Sequence, residues 1–184
     1  RSIVMNELLT NRDQQTNIEF YTQTSIREQL YHDLYDVETV TLRYFNVYGP
    51  NQTGGDYAGV IDVFADQARN GDPITVHGDG QQTRDFVHVD DVVRANRLAA
   101  RTEHVGRAYN VGTGEAVTIR DLAERIRERV GSDSEIVHTT ARDGDIRHSR
   151  ADISRARDRL EYDVTVGLDA GLDTAVPAAP DAEQ

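Results

Sequence analysis

The sequence predicts an α/β chain, and three observations predict it. Short runs rich in β-branched and aromatic residues alternate with segments whose apolar residues recur every third or fourth position. Turn residues such as Gly49-Pro50, Gly71, Gly78, Gly80 and Gly131 fall between the runs. Strand and helix in alternation build a sheet with helices packed on its faces.

Residues 1–20 receive no assigned element. Ile3, Val4, Met5, Leu8 and Leu9 suit a short helix or a strand, and 11–17 is a polar connector. A helix is predicted over 22–35, where Ile26, Leu30 and Leu34 recur at fourth positions beside Tyr31. A strand over 37–45 follows and ends in a turn at Gly49-Pro50. Tyr44, Asn46 and Tyr48 alternate at its exit, a spacing that points all three the same way, at the end of the sheet where open α/β folds bind ligands. After the Gly54-Gly55 loop, Val60, Ile61, Phe64, Ala65 and Ala68 mark one face of a helix that stops near Gly71. Pro73 opens a strand over 74–78, Gly78 and Gly80 make a turn, and a second strand covers 85–89. Asp90 or Asp91 is placed to cap a helix over 92–100. A strand over 108–111 leads to Thr118-Ile119-Arg120-Asp121, a capping box with Asp in place of Glu. The helix behind it carries Ile119, Leu122, Ala123, Ile126 and Val130 on one side and stops at Gly131. A strand over 135–139, a polar loop over 142–145, a short helix capped by Asp152 and a last helix over 167–176 complete the chain. Residues 177–184 read as a disordered tail.

Composition excludes several function classes. The 184 residues carry a net charge of −12, and with no lysine all 20 basic residues are arginine. Nucleic acid and anionic membrane surfaces need a basic face that this balance does not supply. Cysteine is absent, which removes disulfides, thiolate zinc sites and a cysteine nucleophile. The six histidines lack metal-ligand spacing, so no metal is expected. No apolar run is long enough to span a bilayer and no signal peptide is read, so a cytoplasmic, salt-adapted protein is expected. The nearest approach to a dinucleotide fingerprint is Gly112-Thr113-Gly114, between a strand and a helix. Val117 stands where its third glycine belongs, and the turn is not read as a cofactor cradle.

Four blocks carry a family resemblance: LRYFNVYGP at 42–50, ITVHGDGQQTRDFVHVDDVVRA at 74–95, YNVGTGEAVTIRDLA at 109–123 and RDGDIRHSRADISRAR at 142–157. In this order and spacing they resemble the C-terminal half of NAD-dependent sugar-nucleotide epimerases/dehydratases, the extended short-chain dehydrogenase/reductase family, with UDP-glucose 4-epimerase the nearest type. The resemblance covers roughly residues 36–176. It implies the C-terminal part of a Rossmann-type doubly wound sheet over 21–50 and a small mixed substrate-binding portion over 51–176. The half that carries GxxGxxG is absent.

The resemblance also implies roles. Tyr44 matches a residue near the nicotinamide of NAD, and Asn46 a donor to the substrate diphosphate. Thr75 and His77 match positions flanking the base of a UDP- or dTDP-sugar. Arg84 and Arg142 match two diphosphate-binding arginines, and Asp145 the acid that holds the ribose. A guanidinium fork suits phosphate oxygens, and a protein at −12 needs local arginines to hold a diphosphate. On the residues alone, Arg84 is equally an ion-pair partner for Asp85 or Asp90, Asn46 a turn former and His77 a half-exposed strand histidine.

The family's acid/base tyrosine aligns with Tyr21, but Ser25 stands where its lysine partner belongs. The segment from Tyr21 to Arg43 is about four residues shorter than the family's, close to one helical turn. Two functions follow: an epimerase/dehydratase relative that is incomplete and inactive as this chain, or a non-catalytic nucleotide-sugar-binding remnant. The helix at 22–35 matches a dimer-interface helix, so a homodimer through it is expected.

Overall fold

Strand β2 (Thr39–Tyr44) is buried at its first four residues, as a central parallel strand covered on both faces must be. It pairs in parallel with β1 (Ser2–Asn6) on one side and β7 (Arg107–Val111) on the other. The computed structural model describes residues 2–6, 27, 29–50, 52 and 59–177. Within them a helix, α1 (29–35), precedes β2. After β2 come β3 (Asn46–Tyr48), α2 (Val60–Asn70), β4 (Ile74–His77), β5 (Thr83–Arg84), β6 (Phe86–His88) and α3 (Val89–Ala99). Beyond β7 lie β8 (Val117–Thr118), α4 (Ile119–Val130), β9 (Ile136–Thr139), α5 (Ser154–Leu160) and α6 (Leu168–Ala175). β3 pairs in parallel with β6 and β4 with β9, while β5 and β8 are antiparallel.

The strand expected over 37–45 is β2, and its exit towards Gly49-Pro50 holds a second strand, β3. At Phe45 the N–H donates to the Val111 carbonyl (2.9 Å), and at Asn46 to the Asp85 carbonyl (3.0 Å). The chain thus leaves β7 for β6 in one step. The side chains at 44, 46 and 48 accordingly meet three different partners. The Tyr44 hydroxyl meets Asn96 on α3, the Asn46 amide meets Asp85, and Tyr48 is buried edge-on to Phe86 and His88. Tyr48 is packing, and its hydroxyl donates to the Leu168 carbonyl (3.4 Å).

Two apolar cores hold the elements. One joins the inner faces of α2 and α4 over β4, with Phe64, Ile74, Val76, Leu122, Ile126 and Leu172 fully or nearly fully buried. The other packs α3 and α5 on β2 and β7 through Val40, Leu42, Ala95, Tyr109, Val111 and Tyr162. The helix ends follow local chemistry. Thr118 accepts the Asp121 N–H (3.0 Å), the cap expected of its box. Gly131 closes α4 at φ 69°, a conformation that glycine adopts without a Cβ penalty.

The start of α3 differs from expectation. Its cap is His88, whose ring nitrogen accepts the Asp90 N–H (3.3 Å), and the helix begins at Val89. Asp91, fully buried, instead accepts the Thr165 N–H (3.0 Å), the Thr165 hydroxyl (2.5 Å) and the Val166 N–H (3.1 Å). It ties α3 to a segment 74 residues away, which a local cap rule does not anticipate. Asp152 accepts the Ser154 N–H (3.0 Å) just ahead of α5.

Candidate functional site

The site is built around Asp85, which has no exposed surface. Its carboxylate accepts the N–H groups of Thr113 (2.8 Å), Gly114 (2.9 Å) and Ala151 (3.0 Å) and the Thr113 hydroxyl (2.7 Å). A buried carboxylate needs such donors to be tolerated. Its main-chain carbonyl accepts both the N–H and the side-chain amide of Asn46 (2.9 Å for the latter). Asp85 therefore joins the β2–β3 junction, the Gly112–Gly114 turn and the chain at Ala151. The turn's N–H groups at 113 and 114, which a cofactor phosphate would need, are consumed internally. A Cβ at Gly112 would meet Ala151 at 2.6 Å, so the turn also packs directly on protein. The 112–114 turn thus offers no fitting cradle for the pyrophosphate of NAD.

Arg84 is nearly buried and points to the other side. Its Nη1 donates to the carbonyls of Thr83 (2.7 Å) and Ile146 (2.6 Å), and Nη2 donates to Asp145. The ion pair is with Asp145, 61 residues on, and neither Asp85 nor Asp90 takes part. Asp145 closes a turn with its N–H on the Arg142 carbonyl (3.3 Å), and Arg142 is exposed on that turn. The segment 142–149 crosses β5 as a strap. The Thr83 N–H donates to Arg147, Ser149 donates to Thr83, and Arg147 grips Asp79 with two bonds (2.7 and 2.9 Å).

Thr75 and His77 occupy the half-exposed positions of β4, alternate to the buried Ile74 and Val76. Thr75 donates its N–H to Gln67 (3.0 Å). The His77 ring lies 3.1 Å from the Thr139 hydroxyl and 3.3 Å from the Thr140 carbonyl, where β9 leads into the strap. Tyr44 is half-buried and shares two hydrogen bonds with Asn96 (2.8 and 3.1 Å). Burial raises its phenol pKa, against the pull of the Asn96 bond. Tyr21 and Ser25 lie outside the described residues.

Arg84, Asp145 and Arg142 are linked by direct hydrogen bonds, and Asn46 is bonded to Asp85, the residue next to Arg84. Sequence reasoning did not single out Asp85 as a hub, nor Asn96 or the Asp79–Arg147 clasp. Asp85 reads locally as a partner for Arg84, and only the distant turn at 113 reveals its use. Among the described residues no group of three His, Cys, Asp or Glu could hold a metal ion, and no helix is long and apolar enough to cross a membrane.

Residues 26–112 match the NAD dependent epimerase/dehydratase family. The chain belongs to that family. It is similar to the UDP-glucose 4-epimerase of Mycolicibacterium smegmatis, at 38% identity over 143 residues, covering 78% of this chain and 46% of the relative. The UDP-glucose 4-epimerase of Thermotoga maritima, solved with UDP-glucose, superposes with a TM-score of 0.81 at 36% identity, covering 84% of this chain and 50% of that one. The Thermus thermophilus UDP-glucose 4-epimerase, solved with NAD, gives a TM-score of 0.73 at 32% identity over 87% and 50%. The α/β architecture is therefore part of the Rossmann-type epimerase fold. The chain spans about half the length of the curated relatives it matches.

Proposed function

We propose that this chain is the nucleotide-sugar-binding portion of an NAD-dependent epimerase acting on a UDP-sugar, and that it binds the nucleotide without turning it over alone. The observation that supports this is that Arg84 is held by Asp145 on the turn that begins at Arg142, while the carbonyl of its neighbour Asp85 holds the Asn46 amide. Arg84 uses three of its five N–H donors on Thr83, Ile146 and Asp145. The remaining two, with the second amide proton of Asn46, are the donors assigned to diphosphate oxygens. Arg142 adds an exposed guanidinium that swings onto the outer phosphate. Asp145 accepts from a ribose hydroxyl, and Thr75 and His77 flank the base. Tyr44, held by Asn96, is assigned to the nicotinamide side.

Hydride transfer to and from sugar C4 is the chemistry NAD supplies when bound. The Gly112–Gly114 turn does not cradle it, and Ser25 replaces the lysine that would accompany Tyr21. A second reading, a binding remnant with no catalytic role, is favoured by the absence of lysine from all 184 residues. The proposal includes self-association through α1, whose large apolar side chains are exposed, and a salt-adapted surface.

Calorimetry with UDP and an assay for NAD-dependent interconversion of UDP-glucose and UDP-galactose test the reading. UDP binding that Arg142→Ala weakens about tenfold or more is expected, without interconversion. NAD-dependent turnover by the chain alone overturns the inactivity, and no heat at millimolar UDP overturns the binding.

A further inference from the structure

The chain carries 32 acids against 20 arginines, yet one hollow is lined by arginine. At the amino ends of β2 and β7 a cavity of about 550 Å³ opens against Arg107, Arg155, Arg159, His32, His104 and Glu103. Its volume lies within the range of small-molecule sites, about 300–1,000 Å³. Arg107 starts β7, while Arg155 and Arg159 stand one turn apart on the same face of α5.

The walls are fixed. Arg155 donates to the Ala108 carbonyl (3.1 Å), and the Thr102 hydroxyl donates to the Arg159 carbonyl (3.4 Å). Tyr109, buried beneath, donates its hydroxyl to the His104 carbonyl (2.6 Å). Gly106, at φ 66°, lies so close to His32 that a Cβ would come within 2.3 Å of its ring.

Like charges at i and i+4 on a helix repel, and here a third guanidinium joins them. Arg155, Arg107 and Arg159 all act on the Tyr109 phenol, opposing the rise that burial causes. The Arg43 guanidinium is held below its ordinary pKa by burial and then by Arg155. On the lining one carboxylate, Glu103, stands among the three guanidiniums, and Asp152 lies near Arg155.

We propose that this hollow is a second ligand site, which binds a compact oxyanion of two or more negative charges, a phosphate ester or a polycarboxylate. It lies at the opposite end of β2 from Asn46. Five residue steps of about 3.3 Å, roughly 16 Å, separate the two ends of the strand. The proposal stands independently of the nucleotide-sugar reading.

The ¹⁵N-labelled chain titrated with pyrophosphate and, separately, citrate tests it. At least one anion is expected to give saturable amide shifts at 103–107 and 155–159. Arg107→Gln/Arg159→Gln should weaken that binding about tenfold or more, while UDP-induced shifts at 142–146 persist. Absence of saturable shifts at 103–107 with both anions overturns the proposal. So do shifts that survive in the folded variant, or shifts that UDP competes away. Should the double variant not fold, Arg107→Gln alone, at the exposed start of β7, takes its place with the same expected direction.

Discussion

The Asp85 carboxylate accepts four hydrogen bonds inside the protein and none of the residue's surface reaches water. Asp85→Asn keeps the shape but turns one acceptor oxygen into a donor aimed at other donors. A loss of about 3 kcal/mol is expected in urea unfolding, because buried N–H groups are left unpaired. The exposed Asp79 behaves differently. Arg147, bound through two oxygens, and the Gln81 N–H hold its carboxyl from 3.8 down to about 2. A depressed acid contributes above its unfolded value and loses that contribution as pH falls through the folded one. The strap clasp should therefore be complete above about pH 4 and release near pH 2. Carboxyl NMR should give an Asp79 midpoint near 2 that moves towards 3.8 in Arg147→Gln. The residue types of the site were legible through the four blocks, since Asn46, Arg84, Arg142 and Asp145 are spelled out in them. The pairing of Arg84 was not. Asp85 and Asp90 are nearer in sequence, and only the strap's path over β5 brings Asp145 to the guanidinium.

Helix α4 shows how far local rules reach. Its N-cap, apolar face and terminal glycine are all written within residues 118–131, and each appears as expected. Thr118→Ala should cost about 1 kcal/mol by stranding the Asp121 N–H. Gly131→Ala should cost about 1 kcal/mol, since φ 69° is unfavourable for a residue with a Cβ. The two lie at opposite ends of the helix, so the double variant should lose the sum, read from urea midpoints at constant slope. The α3 boundary and the β2–β3 break were not legible, for one shared physical reason. At Phe45 two strands, β7 and β6, compete for the same backbone, and at His88 the ring competes with two acids to cap α3. Long-range partners decide both contests: Val111 and Asp85 for the first, and Thr165 and Val166, which occupy Asp91, for the second.

For the whole molecule, charge and exposed apolar area act in opposite directions. On α1, Leu30, Tyr31, Leu34 and Tyr35 are 49, 47, 68 and 68% exposed. Positions 30, 34 and 31, 35 fall on one side of a helix, and the rings of Tyr31 and Tyr35 already touch at 5.6 Å between centroids. A contiguous apolar stripe of that kind favours burial against a partner. The stripe repeats on every copy, so a second copy set about a twofold axis covers it with its own equivalent. Two bodies of charge −12 repel, however. The screening length falls from about 10 Å at 0.1 M salt to about 3 Å at 1 M, while the apolar attraction is not screened. Association should therefore tighten as salt rises, opposite to the salt response expected of UDP binding at Arg84 and Arg142. Sedimentation velocity at 0.1 and 1 M KCl should show a shift towards dimer at high salt, and Leu34→Glu should hold the chain monomeric at both. A monomer at 1 M salt, at protein concentrations well above those used in the binding assays, would remove α1 as an association surface and leave its apolar face to another partner.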